Sequence, residues 1–184
     1  YIAENGLAGV FIPIGGGYHT LFRCIVTGNG VTGNNDYEGS CLSENGDHNT
    51  IIDGYYEWGE RSGIYTAGTY LQISGASFIS NSGAGVDITS SLVVGETSDY
   101  LHVIGCKFRD TGGKQTYHIS EAAGATNTVI ERCIFEDTAP NLGIANILNT
   151  TPRDNIGFVT ENSGTTTIAS GTTMKTVSHG LAVT

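Results

Sequence analysis

Two pairs of ionisable side chains in this 184-residue chain could carry chemistry, provided that its repeats stack. Asp87 and His118 form the first pair. They lie in Gly85-Val86-Asp87-Ile88 and Thr116-Tyr117-His118-Ile119, short runs that align with Gly63-Ile64-Tyr65 and Ile144-Ala145-Asn146-Ile147. On that alignment Tyr65, Asp87, His118 and Asn146 make one outward-facing column, with neighbours about 5 Å apart. A carboxylate beside an imidazole orients the ring and raises its pKa, which makes a general base. The competing reading is an inconsequential surface pair.

Asp110 and Asp137 form the second pair, in Phe108-Arg109-Asp110-Thr111-Gly112 and Phe135-Glu136-Asp137-Thr138-Ala139. On adjacent coils their carboxyls would approach the roughly 5–5.5 Å of retaining glycosidases, and each would shift the other's pKa. Two such acids also suit Ca²⁺, which takes oxygen ligands; no other cofactor is expected. Against this, Asp is favoured at turns because its side chain satisfies local backbone N–H groups. Arg109 and Glu136 read as an ion pair between coils.

The aromatic residues Tyr55, Tyr56, Trp58, Tyr65 and Tyr70 cluster in sequence. Exposed rings stack on the apolar face of a pyranose, so Trp58, Tyr65 and Tyr56 are candidate glycan-binding residues. The alternative is that several of these rings stack inside the protein. Trp58, in a turn with Glu57 and Gly59-Glu60-Arg61, is the ring expected to be exposed.

Positioning these side chains falls to a repeat. An aliphatic residue (Leu21, Ile51, Ile73, Val103, Ile130) precedes a small anchor (Cys24, Gly54, Ala76, Cys106, Cys133) by three positions. An apolar or aromatic residue (Val26, Tyr56, Phe78, Phe108, Phe135) follows the anchor by two. Turn clusters come next, such as Thr27-Gly28-Asn29-Gly30 and Asn81-Ser82-Gly83. A degenerate sixth copy starts at Asp154-Asn155-Ile156-Gly157-Phe158. Repeats of this length mark stacked units that cannot bury an apolar face alone. The short alternating runs bounded by Gly, Asn and Ser read as strands, and no amphipathic stretch is long enough for a substantial helix.

The aliphatic–small–Phe triplets, with their Asn/Asp/Ser-Gly turns and Gly-Val/Ile strands, resemble the right-handed parallel β-helix of the pectin-lyase-like superfamily over residues 9–150. The resemblance implies an all-β, right-handed parallel β-helix solenoid of about five to six coils over residues 1–160. Residues 161–184 are then the start of a short β-rich C-terminal segment, cut within it. That tail, with its Thr-rich strand and Val177-Ser178-His179-Gly180-Leu181, is similar to segments near the ends of phage and archaeal-virus structural proteins. The superfamily's architecture hosts lyases, hydrolases, adhesins and tailspikes alike. The resemblance to pectate lyases would require a cluster of Ca²⁺-binding Asp with a catalytic Arg or Lys on one face, which cannot be assembled here. The Asp-Asp and Gly-His-Gly strings of polygalacturonase-like enzymes are absent.

Composition narrows the function. Charged residues are 14% and the net charge is −10, so the surface repels phosphate backbones and nucleic-acid binding is not expected. A neutral glycan suits such a surface better than a polyanion. No apolar run is long enough to span a membrane. The four cysteines follow the repeat in part: Cys106 and Cys133 share the anchor position on adjacent coils. They read as buried free thiols, with a disulfide between them as the second reading. Cys41 has no partner assignable from sequence. The chain starts at Tyr1 with no signal-peptide pattern and reads as a fragment.

These features lead to one expectation: an extracellular structural or adhesive β-helix of viral tail-spike, tail-fibre or surface-filament type. Its location would be extracellular, on a cell surface or on a virion. Its partners would be a polysaccharide or cell-surface glycan and further copies of itself, as a homo-oligomer or filament. The alternative is a polysaccharide lyase or glycoside hydrolase acting through the carboxylates above.

Overall fold

The computed structural model describes residues 1–4, 6–13, 15–29, 41–81, 84–88, 99–111, 117–121, 125–136, 144–145 and 150–157. The 161–184 segment, Asp137 and Asn146 lie outside these residues. All the regular structure described is β. The strands are β1 (Ile2–Ala3), β2 (Val10–Ile12), β3 (Thr20–Phe22), β4 (Ile25–Thr27), β5 (Leu42–Glu44) and β6 (Thr50–Ile52). They continue as β7 (Tyr55–Glu57), β8 (Ser62–Thr66), β9 (Gln72–Ser74), β10 (Ser77–Ile79), β11 (Ala84–Ile88) and β12 (His102–Ile104). The last are β13 (Lys107–Arg109), β14 (Tyr117–Glu121), β15 (Thr128–Glu131), β16 (Ile134–Phe135), β17 (Ile144–Ala145) and β18 (Thr150–Arg153).

Every third strand joins the same sheet, and all pairings are parallel. Sheet I is β3-β6-β9-β12-β15-β18, sheet II is β1-β4-β7-β10-β13-β16, and sheet III is β2-β5-β8-β11-β14-β17. Each circuit of the chain therefore visits three sheets and advances one strand spacing, about 4.8 Å.

The repeat inferred from sequence is the observed register. The aliphatic column runs Leu21, Ile51, Ile73, Val103 and Ile130 in sheet I. The Val26, Tyr56, Phe78, Phe108 and Phe135 column runs along sheet II. Gly54, the anchor that fits least well by sequence, is in register with the rest. Side chains of a strand alternate between faces, so one column per sheet points inward. Ile51, Tyr56 and Ile64 are all fully buried, one from each sheet. The rings of Tyr56, Phe78, Phe108 and Phe135 stack along the axis with centroids 5.6, 4.9 and 5.1 Å apart. Burying each large apolar side chain stabilises the fold by roughly 1.5–3 kcal/mol.

The corners are left-handed. Between sheets I and II, Arg23, Asp53, Gly75, Gly105, Arg132 and Asp154 all have φ between 49° and 67°. Tyr18, His48, Tyr70, Tyr100 and Asn127 do the same between sheets III and I, and Glu4, Gly28, Trp58 and Ser80 follow sheet II. Buried asparagines close the turns. Asn81 accepts from Gly59 N at 2.9 Å and donates to Tyr56 O at 3.0 Å. At the sixth copy Asn155 stands where the other coils have a small anchor. It accepts from Cys133 N at 2.8 Å and donates to Ile130 O at 3.0 Å.

Two substitutions test this core. Phe108→Ala removes a ring held between two others and should cost about 3–5 kcal/mol in chemical denaturation. Asn81→Leu strands the Gly59 N–H and Tyr56 carbonyl, which should cost about 1–3 kcal/mol per group. A loss under half of these values would mean that the ring or amide is not buried as described.

Candidate functional site

The first pair foreseen from sequence does not come together. Asp87 pairs in register with Tyr65 and Ser120, not with His118. Ile119 aligns with Val86, itself aligned with Ile64, and Ile64 and Ile119 are fully buried, so the register lies two residues away from the expected one. His118 is fully buried. Its ring lies 5.9 Å from that of Phe108 and 5.6 Å from that of Phe135. The register between its neighbours sets it opposite Gly85, which offers no side chain to compete for the interior.

Asp110 is also buried, at 5% exposure, rather than displayed on a surface. The ion pair expected beside it is present: Arg109 Nε lies 3.8 Å from Glu136 Oε2, and Lys107 Nζ lies 2.9 Å from Glu136 Oε1. Among the described residues no three His, Cys, Asp or Glu side chains gather as a metal would need. Of the aromatic candidates, Tyr56 belongs to the internal stack and is fully buried, because it follows its anchor by two like Phe78 and Phe108. Trp58 is 44% exposed, as expected, and Tyr55 is 51% exposed. Tyr65 is half-buried.

Cys41, Cys106 and Cys133 are buried free thiols and Cys24 is half-buried. Burial pushes the Cys41 thiol up to about 12. Its Sγ sits 3.3 Å from Glu57 O, within donating distance. Cys133 beside it, with burial adding to the effect, holds the Cys106 thiol well above its ordinary value, while Cys106 lowers that of Cys133.

Two surface features were not anticipated. The first is a ladder of exposed rings at the corner between sheets III and I. Tyr18 stacks on His48 at 5.1 Å, His48 on Tyr70 at 4.5 Å, and Tyr70 on Tyr100 at 4.8 Å, with planes within 18° of parallel. Beside it runs a polar column of Gly17, Asp47, Thr69, Asp99 and Thr126, bridged in parallel. Thr69 donates to Asp47 at 2.5 Å, and Asp99 accepts from Thr126 at 2.6 Å and from Asn127 at 2.8 Å. The Thr126 bond is the main cause of a lowered Asp99 pKa. The sequence signal was available: Tyr18, His48, Tyr70, Tyr100 and Asn127 each precede an anchor by six residues. Because the rings stack on one another, inner faces are occupied and a ligand meets edges only.

The second feature is a shallow cleft of about 460 Å³ where sheet I turns into sheet II, lined by Arg23, Ile25, Asp53, Gly54, Tyr55, Gly75 and Ser77. Arg23 Nε lies 3.5 Å from Asp53 Oδ2, with the side chains 72% and 44% exposed. The Arg23 guanidinium also lies over the Phe22 ring, 4.9 Å from its centre. Tyr55 supplies an open aromatic surface on one wall.

Comparison with protein families, curated proteins and solved structures finds no match. Function therefore rests on the geometry alone.

Two measurements check this description. At pH 8 a thiol reagent should label Cys24 quickly and the other three cysteines only on unfolding; fast labelling of Cys41 would contradict its burial. Because its folded pKa is raised, Cys41 contributes stability that is complete below its ordinary value of 9.0 and is lost as pH rises toward about 12. Cys41→Ala should therefore flatten the alkaline part of the stability curve. At the ladder, Tyr70 has φ 55°, where glycine is free of strain and alanine is not. Tyr70→Gly should accordingly be more stable than Tyr70→Ala by roughly 0.5–1 kcal/mol, the reverse of the order in an ordinary strand.

Proposed function

We propose that the three sheets wind as a right-handed parallel β-helix of the pectin-lyase-like kind, and that this helix serves as an extracellular structural or adhesive element of a fibre, tail spike or surface filament. The single observation that carries the reading is the sheet order, in which each sheet takes every third strand in parallel. Parallel strands joined by a crossover are right-handed in about 98% of cases, which supports the handedness. The location, on a virion or a cell surface, belongs to the same proposal.

What the surface displays favours holding over catalysis. Of the residues foreseen from sequence as acting on a substrate, His118 and Asp110 have their side chains in the interior. The outer faces instead carry rings, hydroxyls and paired charges. Exposed apolar side chains gather on β1–β3 and the segments joining them: Tyr1, Leu7, Phe11, Tyr18 and Phe22 are 53–87% exposed. Among the described residues β1, β2 and β3 each pair on one side only. A parallel edge with apolar surface pairs readily with a further strand layer, whether of the same chain or of another copy, and self-association into an oligomer or filament is part of the proposal. The alternative of a polysaccharide lyase or glycoside hydrolase has less in its favour on these placements.

Native mass measurement with negative-stain imaging tests this. A discrete oligomer or end-to-end rods are expected, and rods should shorten when Phe11→Asp or Phe22→Asp is introduced. A monodisperse monomer at high concentration, together with release of reducing ends or unsaturated products from a polysaccharide panel, would overturn the structural reading in favour of the enzymatic one.

A further inference from the structure

We infer that the cleft between Arg23, Asp53 and Tyr55 is a binding subsite for an uncharged pyranose of a neutral glycan. This rests on the adhesive reading above and assigns it a place and a ligand class. Its centre differs from the site foreseen in sequence, which invoked Trp58, Tyr65 and Tyr56.

Three properties of the cleft point to a sugar. The first is an aromatic surface beside paired polar groups. Tyr55 is 51% exposed, so a ring face or edge is available for the apolar C–H face of a pyranose. Arg23 and Asp53 lie across from it with 3.5 Å between Nε and Oδ2. A guanidinium and a carboxylate side by side offer donors and acceptors at the spacing of vicinal hydroxyls. Being largely exposed, this pair contributes little to stability and can exchange its mutual contact for contacts with hydroxyls.

The second property is bare backbone. Gly54 and Gly75 line the cleft. Packing fixes Gly54, because an added Cβ would collide with the Cys24 backbone carbonyl, and Gly75 sits at φ 67°, where a side chain would be strained. The consequence is a wall low enough for a ligand to reach the main chain. The third property is charge. The protein carries −10 overall and the Arg23 cation is already balanced by Asp53. A polyanion would meet net repulsion, and a neutral hydroxylated ligand would not.

The ligand's length has a natural measure. Tyr55 begins β7 and Trp58 follows its end, about 10 Å along the strand at roughly 3.3 Å per residue. Two consecutive sugar units span a comparable length, so Trp58 can serve the neighbouring unit.

The test uses the whole chain and defined probes. Malto-, cello-, manno- and xylohexaose, with oligogalacturonate as the charged comparator, are titrated by calorimetry and saturation-transfer NMR. At least one neutral probe should bind with Kd on the order of 1 mM or tighter, as expected of a small open site. Oligogalacturonate should bind more weakly. Tyr55→Ala and Asp53→Asn should each weaken the neutral probe by about tenfold. Tyr55→Phe should retain binding, and Tyr100→Ala on the distant ladder should leave it unchanged. Neutral-glycan binding that survives both Tyr55→Ala and Asp53→Asn overturns the subsite while leaving an adhesive role standing. Absence of saturable binding to every neutral probe overturns it as well, and the native mass then decides the structural reading separately.

Discussion

The constraint on which everything else depends is the parallel hydrogen-bond register between successive coils. Lys107 N donates to Ala76 O, Ile134 N to Cys106 O and Ile156 N to Cys133 O, each at 2.9 Å. Once those bonds form, each residue is locked above and below its equivalents, and columns rather than individual residues become the units of the structure. A column pointing inward is mostly apolar, because a buried polar group without partners is costly; the Tyr56 hydroxyl and the His118 ring are the exceptions. A column at a corner must tolerate positive φ throughout, since one coil cannot turn differently from its neighbours without breaking the ladder. This is why residues as large as Tyr70 and Tyr100 adopt a conformation that ordinarily belongs to glycine and asparagine. Stacking of each ring on the next, worth about 0.5–1.5 kcal/mol per pair, offsets the roughly 1–2 kcal/mol that a left-handed residue costs.

The same constraint explains which parts were legible in the sequence. The triplet of aliphatic, small and apolar residues appears in the chain as a spacing because steric demand on an inward column is strict. Its members line up in the structure from Leu21 to Ile130 and from Val26 to Phe135. Sheet III was harder to read. Its strands follow segments of variable length, so no fixed offset from the anchor sets the register, and His118 was aligned by pattern with Asp87 when Ile119 was the residue that had to point inward. Tyr56 shows the opposite failure: its place in the triplet already marked it as internal, yet its type suggested a surface platform. The ring ladder was hidden because corner positions obey a backbone requirement, which hydrophobic periodicity does not detect.

Thiols follow the same logic. On five coils the anchor column holds small residues, and Cys24, Cys106 and Cys133 fill it as Gly54 and Ala76 do. Their chemistry is set by that placement. Cys106 and Cys133 are both nearly inaccessible, and their thiols face neighbouring carbonyls, such as those of Ile73 and Val103 at 3.8 Å. A position selected for size thus carries reactive atoms without making them available.

Function in such a fold is therefore best sought where an outer column departs from its own pattern for no internal reason. Inward columns are dictated by packing, and the ring ladder is self-satisfying, since its inner faces are consumed by stacking. The corner between sheets I and II is different. Its left-handed position is held by Arg23, Asp53, Gly75, Gly105, Arg132 and Asp154 in turn, so the backbone requirement alone does not choose the residue type. Arg23 and Asp53 pair with each other while largely exposed, a contact that contributes little stability. A charged pair with little structural return, placed beside an exposed aromatic ring, is what a recognition site looks like on a scaffold whose interior is fixed by packing.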